Sequence, residues 1–384
     1  MVQSMIVKIA DNITSPLGMD TAANYEAVLA GRSTLKLHEG KWGVPEPFMA
    51  SLFEDGTIED GFAAMGGEVQ RYSRFEQLCI LSADEALRQA PQVDVASKRT
   101  ALVISTTKGN VEALDSDYHG PGNEYLGYSA QEIADYFGFT TTPIVVSNAC
   151  ISGLCAQIVA MRSLESGRYD TVVVVGADVQ SRFIVTGFQS FKALSQQQCK
   201  PFDINRNGLN LGEAAATVIY QKADGENHDG WMAVSGAIRN DANHISGPSR
   251  TGEGSYRAMR AVLEGFDISQ IGLINVHGTS TLYNDEMEAI ALSRMALDKT
   301  PVNTLKGYYG HTMGAAGVLE AVLSMHALDH GIVLGTRGYE QCGTSVPVNV
   351  SNEHRYTSAR SFVKLLSGFG GCNAAMLFKK GGAS

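Results

Sequence analysis

A thiol, two imidazoles and an ammonium stand at chain junctions where reactive groups are useful. Cys150 lies in TTPIVVSNACISGLCAQIVAMRSLESG (141–167), between an apolar strand-like run and a pattern that predicts a helix over residues 153–164. The free N–H groups and positive end of such a helix face the sulfur, an arrangement that lowers a thiol pKa and favours the nucleophilic thiolate. Ser152 and Gly153 suit a sharp turn that lifts Cys150 clear of packed backbone. A free cysteine taken alone is more often a small buried hydrophobe; Cys79 and Cys155, each inside a predicted helix, read that way. His277 directly follows a strand in NVHGTSTLYNDEMEAI (275–290), and His311 sits at a second strand-to-helix turn in KGYYGHTMGAAGVLE (306–320), five residues after Lys306. Strand ends are where α/β proteins place their sites, which makes both histidines candidate partners of the thiol. In LLSGFGGCNAAMLFKK (365–380), Gly368, Gly370 and Gly371 surround Phe369. Glycines there permit either a plain β-turn or a tight excursion that presents a backbone N–H to a ligand.

The elements that must position these groups are those of an α/β protein. Of the 384 residues 44% are hydrophobic, ample for a large core. Short β-branched runs recur at 5–10, 100–106, 143–147, 171–178 and 214–222, with helix-like stretches such as 21–31 and 74–90 between them. A polar, Gly- and Asp-rich stretch at 222–230 marks a boundary, dividing the chain into halves 1–225 and 226–384. The second half repeats the grammar of the first. Its Thr-Pro, strand, reactive residue and apolar helix mirror the Cys150 stretch, with His311 in the place matching Cys150, and this suggests a duplicated fold.

Thirty basic against 40 acidic residues give a formal charge of −10 without blocks of one sign, which argues against nucleic acid. Six cysteines without CxxC pairing are too few for a disulfide scaffold and fit a reducing compartment. The longest aliphatic run, VVVVGA at 172–177, is far below a membrane span, and the N-terminus has no long apolar core, so a cytoplasmic protein is expected. His326 and His330, four apart at the polar end of a helix, read as solvated, and no metal site is expected.

Five stretches, in order and over nearly the whole chain, resemble the signatures of the β-ketoacyl-acyl carrier protein synthases, condensing enzymes of the thiolase superfamily: NACISG, KPFDINRNGLNLGEAAA (200–216), HGTSTLYND, KGYYGHTMGAAGVLE and GFGGCNA. SPLGMDTAANYEAVLAGRS is similar to that family's N-terminal helix entry. The resemblance implies a thiolase-like fold, two duplicated α/β halves packed as a five-layer αβαβα sandwich. It implies a 3-oxoacyl-acyl carrier protein synthase that takes an acyl group onto Cys150 and condenses it with a decarboxylating malonyl thioester, in fatty-acid or polyene/polyketide assembly. On the same grounds His277 and His311 would stabilise the enolate, Lys306 would stand beside them with Glu320 as its buried ionic partner, and the N–H groups of Cys150 and Phe369 would form an oxyanion hole. Phe369 would also gate the acyl pocket, with Gly370 in the substrate loop, and Thr279 and Thr281 would bind the pantetheine arm. No resident cofactor is implied, because the substrates ride on the phosphopantetheine of acyl carrier protein. A dimer is implied, with an identical mate or a chain-length-factor-like one.

The chain departs from the family pattern in places. The segment after VISTTKGN (103–110) and the loop at 192–203 are short, Lys108 stands where an apolar residue usually limits the acyl pocket, and Cys372 replaces a common threonine. Lys108 is therefore expected at the substrate or at the surface. Two other readings are a non-catalytic chain-length-factor-like partner and a thiolase with Cys372 as base. The joint presence of Cys150, His277 and His311 argues against the first, and the HGTST loop and Lys306–His311 element argue against the second. Arg71, Arg74, Lys192, Lys200 and Arg206 are candidates to meet an acidic carrier protein.

Overall fold

The β-branched runs form ten strands of one sheet in a computed structural model that describes residues 5–114, 124–223 and 228–382. In chain order they are β1 (Met5–Thr14), β2 (Thr100–Ser105), β3 (Ile144–Val146), β4 (Thr171–Asp178) and β5 (Ala214–Ala223), then β6 (Trp231–Asn240), β7 (Leu273–Asn275), β8 (Val302–Asn303), β9 (Ser361–Gly368) and β10 (Cys372–Lys380). The spatial order is β8-β7-β9-β10-β6-β1-β5-β4-β2-β3. Read outward from the centre, the two sets run β1-β5-β4-β2-β3 and β6-β10-β9-β7-β8, the same arrangement twice. Directions repeat as well: β2 is parallel to β3 and β4, as β7 is to β8 and β9, while β5 and β10 run antiparallel to both of their own neighbours. The sets join through one antiparallel pair, Val7 with Met232. The expected division at 225/226 lies outside the described residues.

Helices complete five layers. Helix α1 (Arg74–Gln89) opens with a Ser73–Glu76 capping box and covers the outer face of β1, β4 and β5. Helix α2 (Ser152–Glu165) lies in the middle, touching β2 and β4 of one set and β6 and β10 of the other. After α3 (Arg182–Ser190), α4 (Glu253–Val262) and α5 (Leu282–Arg294) cover the second outer face, and α6 (Ala316–Asp329) joins α2 in the middle. Period-two alternation sorts the strands between cores: Val172 and Val174 face the middle helices, Val173 and Val175 face α1. Both middle helices are buried on nearly every side, which is why they read as apolar all round.

The middle helices meet at their N-termini. A Cβ on Gly317 would stand 2.3 Å from the Leu154 nitrogen, and one on Gly153 would stand 2.7 Å from the Gly314 oxygen, so only glycine lets the backbones touch. Gly153 is thus a contact point inside the helix rather than part of a turn. The start of each helix is preceded, by the same interval, by a residue with positive φ, Ala149 (45°) before Ser152 and Met313 (47°) before Ala316. By that register the position matching Cys150 is Gly314, and His311 lies three residues earlier than the sequence repeat suggests.

Candidate active site

The Gly153–Gly317 contact places the turn that carries Cys150 against the turn that carries His311. Ser152 fastens the first turn: its hydroxyl donates to the Ala149 carbonyl (2.6 Å) and accepts from the Asn148 N–H (2.8 Å). The Phe369 N–H donates to the Cys150 sulfur. Burial nevertheless dominates and pushes the thiol up to about 11, against the pull of Lys306, that N–H and Lys108. This corrects the expectation of a lowered pKa. Desolvation of the thiolate outweighs the neighbouring ammoniums and the N–H.

His277 is held by the backbone before and after it. Its own N–H and that of Gly278 donate to the two oxygens of Glu288 on α5, each at 2.7 Å, and the Thr279 N–H donates to Asp285 at 3.0 Å. Gly278 has φ +50° and no room for a Cβ beside Thr304. His311 is fixed by its N–H donating to the Asn210 carbonyl (2.7 Å) and by the Met313 N–H donating to its Nδ1 (3.3 Å). An Nδ1 that accepts puts the ring proton on Nε2, which is buried and has no partner. His277 Nδ1 is likewise buried without a partner. The ring centroids are 5.0 Å apart at 82°, and the Cys150 sulfur and one nitrogen of each ring lie within 4.8 Å of one another. Burial first, then Lys306 and Lys364, hold both imidazoles well below their usual pKa, with His311 adding to the effect on His277. Both are neutral N–H donors at physiological pH. Among the described residues these three form the only His, Cys or acidic set close enough to hold a metal ion.

Behind the histidines, Glu320 Oε1 accepts from Lys306 Nζ (2.7 Å) and Oε2 from Lys364 Nζ (2.6 Å), all three buried. Burial opposes ionisation of Glu320, yet the two ammoniums outweigh it and its carboxyl lies below the ordinary range. The pairing of Lys306 with Glu320 is as expected. Motif and spacing do not point to Lys364, Glu288, Asp285 or Asp178; the one signal for Lys364 is a charge inside the apolar run SFVKLLSG.

A cavity of about 470 Å3 opens onto the trio, lined also by Thr279, Thr281 and Phe369. The two threonine hydroxyls lie 2.9 Å apart. The Phe369 ring packs against Phe188 (5.9 Å between centroids) and Phe191 (5.2 Å). Around the mouth, Phe191, Ile245, Leu282 and Tyr283 expose apolar surface, and Lys192 supplies a charge. Gly370 and Lys108 do not line this cavity; the Gly370 N–H donates to Ile245 O (2.6 Å), and Lys108 Nζ donates to its neighbour Thr107 O (3.4 Å). Two of the basic candidates serve the interior: Arg74 is bidentate to the buried Glu213 (2.7 and 2.9 Å), and Arg206 is buried, donating to the Asp203 and Gly343 carbonyls. Arg71 and Lys200 pair with Glu132 (3.8 Å) and Glu340 (3.5 Å). Cys79 and Cys155 are buried, and Cys372 sits beneath the Phe369 loop, its thiol donating to the Phe369 carbonyl (3.3 Å). His326 is half-buried rather than solvated, tilted over Tyr25 with His330 stacked beside it. No helix among the described residues is long and apolar enough to cross a membrane.

Comparison with known proteins agrees with this geometry. The chain is 28% identical to a Schizosaccharomyces pombe protein named as a mitochondrial 3-oxoacyl-acyl-carrier-protein synthase, over 95% of this chain and 96% of that one. It is 28% identical to the ketoacyl synthase alpha subunit of the tetracenomycin polyketide synthase of Streptomyces glaucescens, over 98% and 97% of the two chains. Among solved structures, the ketosynthase ApeO in complex with its chain length factor ApeC from Xenorhabdus doucetiae superimposes with a TM-score of 0.83 at 25% identity, covering 98% of each chain. Residues 4–225 match the model of the beta-ketoacyl synthase N-terminal domain and residues 232–340 that of the beta-ketoacyl synthase C-terminal domain, so the chain belongs to the beta-ketoacyl synthase family.

Proposed function

We propose that the chain joins an acyl group held on Cys150 to a malonyl unit, both delivered on the phosphopantetheine of acyl carrier protein, in fatty-acid or polyene/polyketide assembly. The observation that carries this reading is a thiol within 4.8 Å of two neutral imidazoles, each with one buried ring nitrogen that lacks a partner, at the end of one cavity. In the first step the Cys150 sulfur attacks the acyl thioester carbonyl. The carrier thiolate leaves and takes up the proton that Cys150 gave up, while the N–H groups of Phe369 and Cys150 hold the transient oxyanion. The thiol, raised to about 11 by burial, is protonated at rest, and Lys306 and the Phe369 N–H favour its thiolate. In the second step the malonyl thioester oxygen accepts N–H donors from His277 and His311. Loss of carbon dioxide leaves the bond's electron pair as an enolate held by those donors, and the enolate carbon attacks the acyl-Cys150 carbonyl. The Cys150 thiolate departs, is reprotonated, and a 3-oxoacyl chain two carbons longer remains on the carrier.

Thr279 and Thr281 line the approach for the pantetheine arm, and Phe369, packed on the half-exposed Phe188 and Phe191, is the gate. The division into halves 1–225 and 226–384 rests on the repeated strand order. The mate in a dimer is a second copy or, as for ApeO, a chain length factor, and the compartment is the cytoplasm. A non-catalytic role is disfavoured by the complete Cys150, His277 and His311 set. Incubation with malonyl carrier protein and a panel of acyl primers, read by mass, tests the reading: carbon dioxide and a 3-oxoacyl carrier are expected, and the 3-oxoacyl carrier is lost in Cys150→Ala. No product from any primer, with Cys150 unacylated, overturns it.

A further inference from the structure

Lys364 is a buried charge beside the two histidines that this mechanism leaves without a task. It lies on β9, in a row with Phe362 and Leu366 that faces the middle helices, and is 0% exposed. Its ammonium donates to Glu320 Oε2 (2.6 Å) and to the backbone carbonyls of Leu365 (2.9 Å), Val276 (3.3 Å) and Asn275 (3.5 Å). Asn275 and Lys364 are register partners on adjacent parallel strands, and Val276 is the residue before His277. Glu320 is already neutralised by Lys306, so pairing does not explain a second lysine. An apolar side chain would fill this strand position at lower desolvation cost.

We propose that Lys364 is a positioning residue for the condensation: its ammonium ties the strand end that carries His277 to the carboxylate that holds Lys306. One group thereby fixes both walls of the donor pair, the His277 wall through the Asn275 and Val276 carbonyls and the Lys306–His311 wall through Glu320. Three N–H bonds shared among four oxygens leave this cage well satisfied, and its position behind both rings leaves the cavity free for substrate. The inference rests on the proposed condensing activity and concerns only the malonyl step. Cys150, anchored within its own turn by Ser152, is not among the groups this cage holds.

The test begins with the wild-type chain and malonyl carrier protein; absence of decarboxylation there removes the functional reading itself. Given activity, Lys364→Ala is expected to lower kcat for malonyl decarboxylation by about 100-fold, the scale of a misplaced reacting group. KM for the malonyl carrier and the rate of Cys150 alkylation by iodoacetamide stay at wild-type values. Methylammonium or ammonium, small enough to enter the vacated cage, is expected to restore kcat, and tetramethylammonium is not. Should Lys364→Ala fail to fold, Lys364→Arg carries the test, since a guanidinium keeps the charge but cannot reach the same four oxygens, and the same split is expected. Wild-type kcat in a folded variant, or a loss that falls equally on Cys150 alkylation and is indifferent to methylammonium, overturns the proposal.

Discussion

At the end of β4, in the first half, the Asp178 carboxylate is ringed by neutral donors: the Thr106 hydroxyl (2.6 Å), the Thr107 hydroxyl (2.8 Å) and N–H (3.0 Å), and the Gly314 N–H (2.7 Å). In the second half, Glu320 on α6 sits between two ammonium groups. Burial raises the Asp178 carboxyl above its ordinary value despite its hydrogen bonds, whereas the lysines bring Glu320 below its own. These two buried acids thus keep opposite company. Asp178 binds two turns near the nucleophile through dipoles, whereas Glu320 gathers full charges behind two uncharged rings. The difference teaches that topology decides where side chains meet, while the field at the meeting point is decided by a few buried substitutions.

That division can be broken from either side. The largest effect is expected on removing the reactive sulfur: Cys150→Ala should lose roughly a millionfold in condensation, as for other excised nucleophiles, with no acyl adduct in the intact-protein mass. On the other side, His311→Ala should still accept an acyl group on Cys150 yet slow decarboxylation by about 100- to 1,000-fold, the cost of one oxyanion donor. Equal loss of acylation would erase the separation of roles. In urea unfolding, Glu320→Gln should cost about 3–5 kcal/mol, because two buried ammoniums lose their counter-charge. Asp178→Asn should cost less, about 1–3 kcal/mol, since neutral donors are merely left mismatched. The reverse order would contradict the contrast. The mildest perturbation is pH. With the Cys150 thiol raised to about 11, its thiolate fraction climbs about tenfold per unit, so iodoacetamide alkylation should keep rising from pH 7 to 10. A plateau by pH 8 would show that the helix end, not burial, governs the sulfur.

Much of this was legible in the chain. Alternating β-branched runs announced the sheet, and Cys150, His277, Lys306, His311 and Glu320 stand out because each is a reactive type at a strand end or within an intact motif. What was hidden depends on distance in sequence. Gly153 looks like a turn residue until Gly317 arrives against it, and Arg74 and Arg206 look like surface charges until Glu213 and the carbonyls of Asp203 and Gly343 close over them. The raised thiol pKa is not legible in sequence, because a helix end is local whereas desolvation comes from every element packed around the sulfur. The duplication was visible, but its register was not. Backbone torsions at Ala149 and Met313, which no side-chain pattern encodes, make Gly314 the position that corresponds to Cys150.

At the Gly153–Gly317 crossing no side chain stands between the two backbones, so main chain alone sets the turn that carries Cys150 against the turn that carries His311. A methyl group at either glycine would push sulfur and rings apart while leaving all three reactive side chains intact.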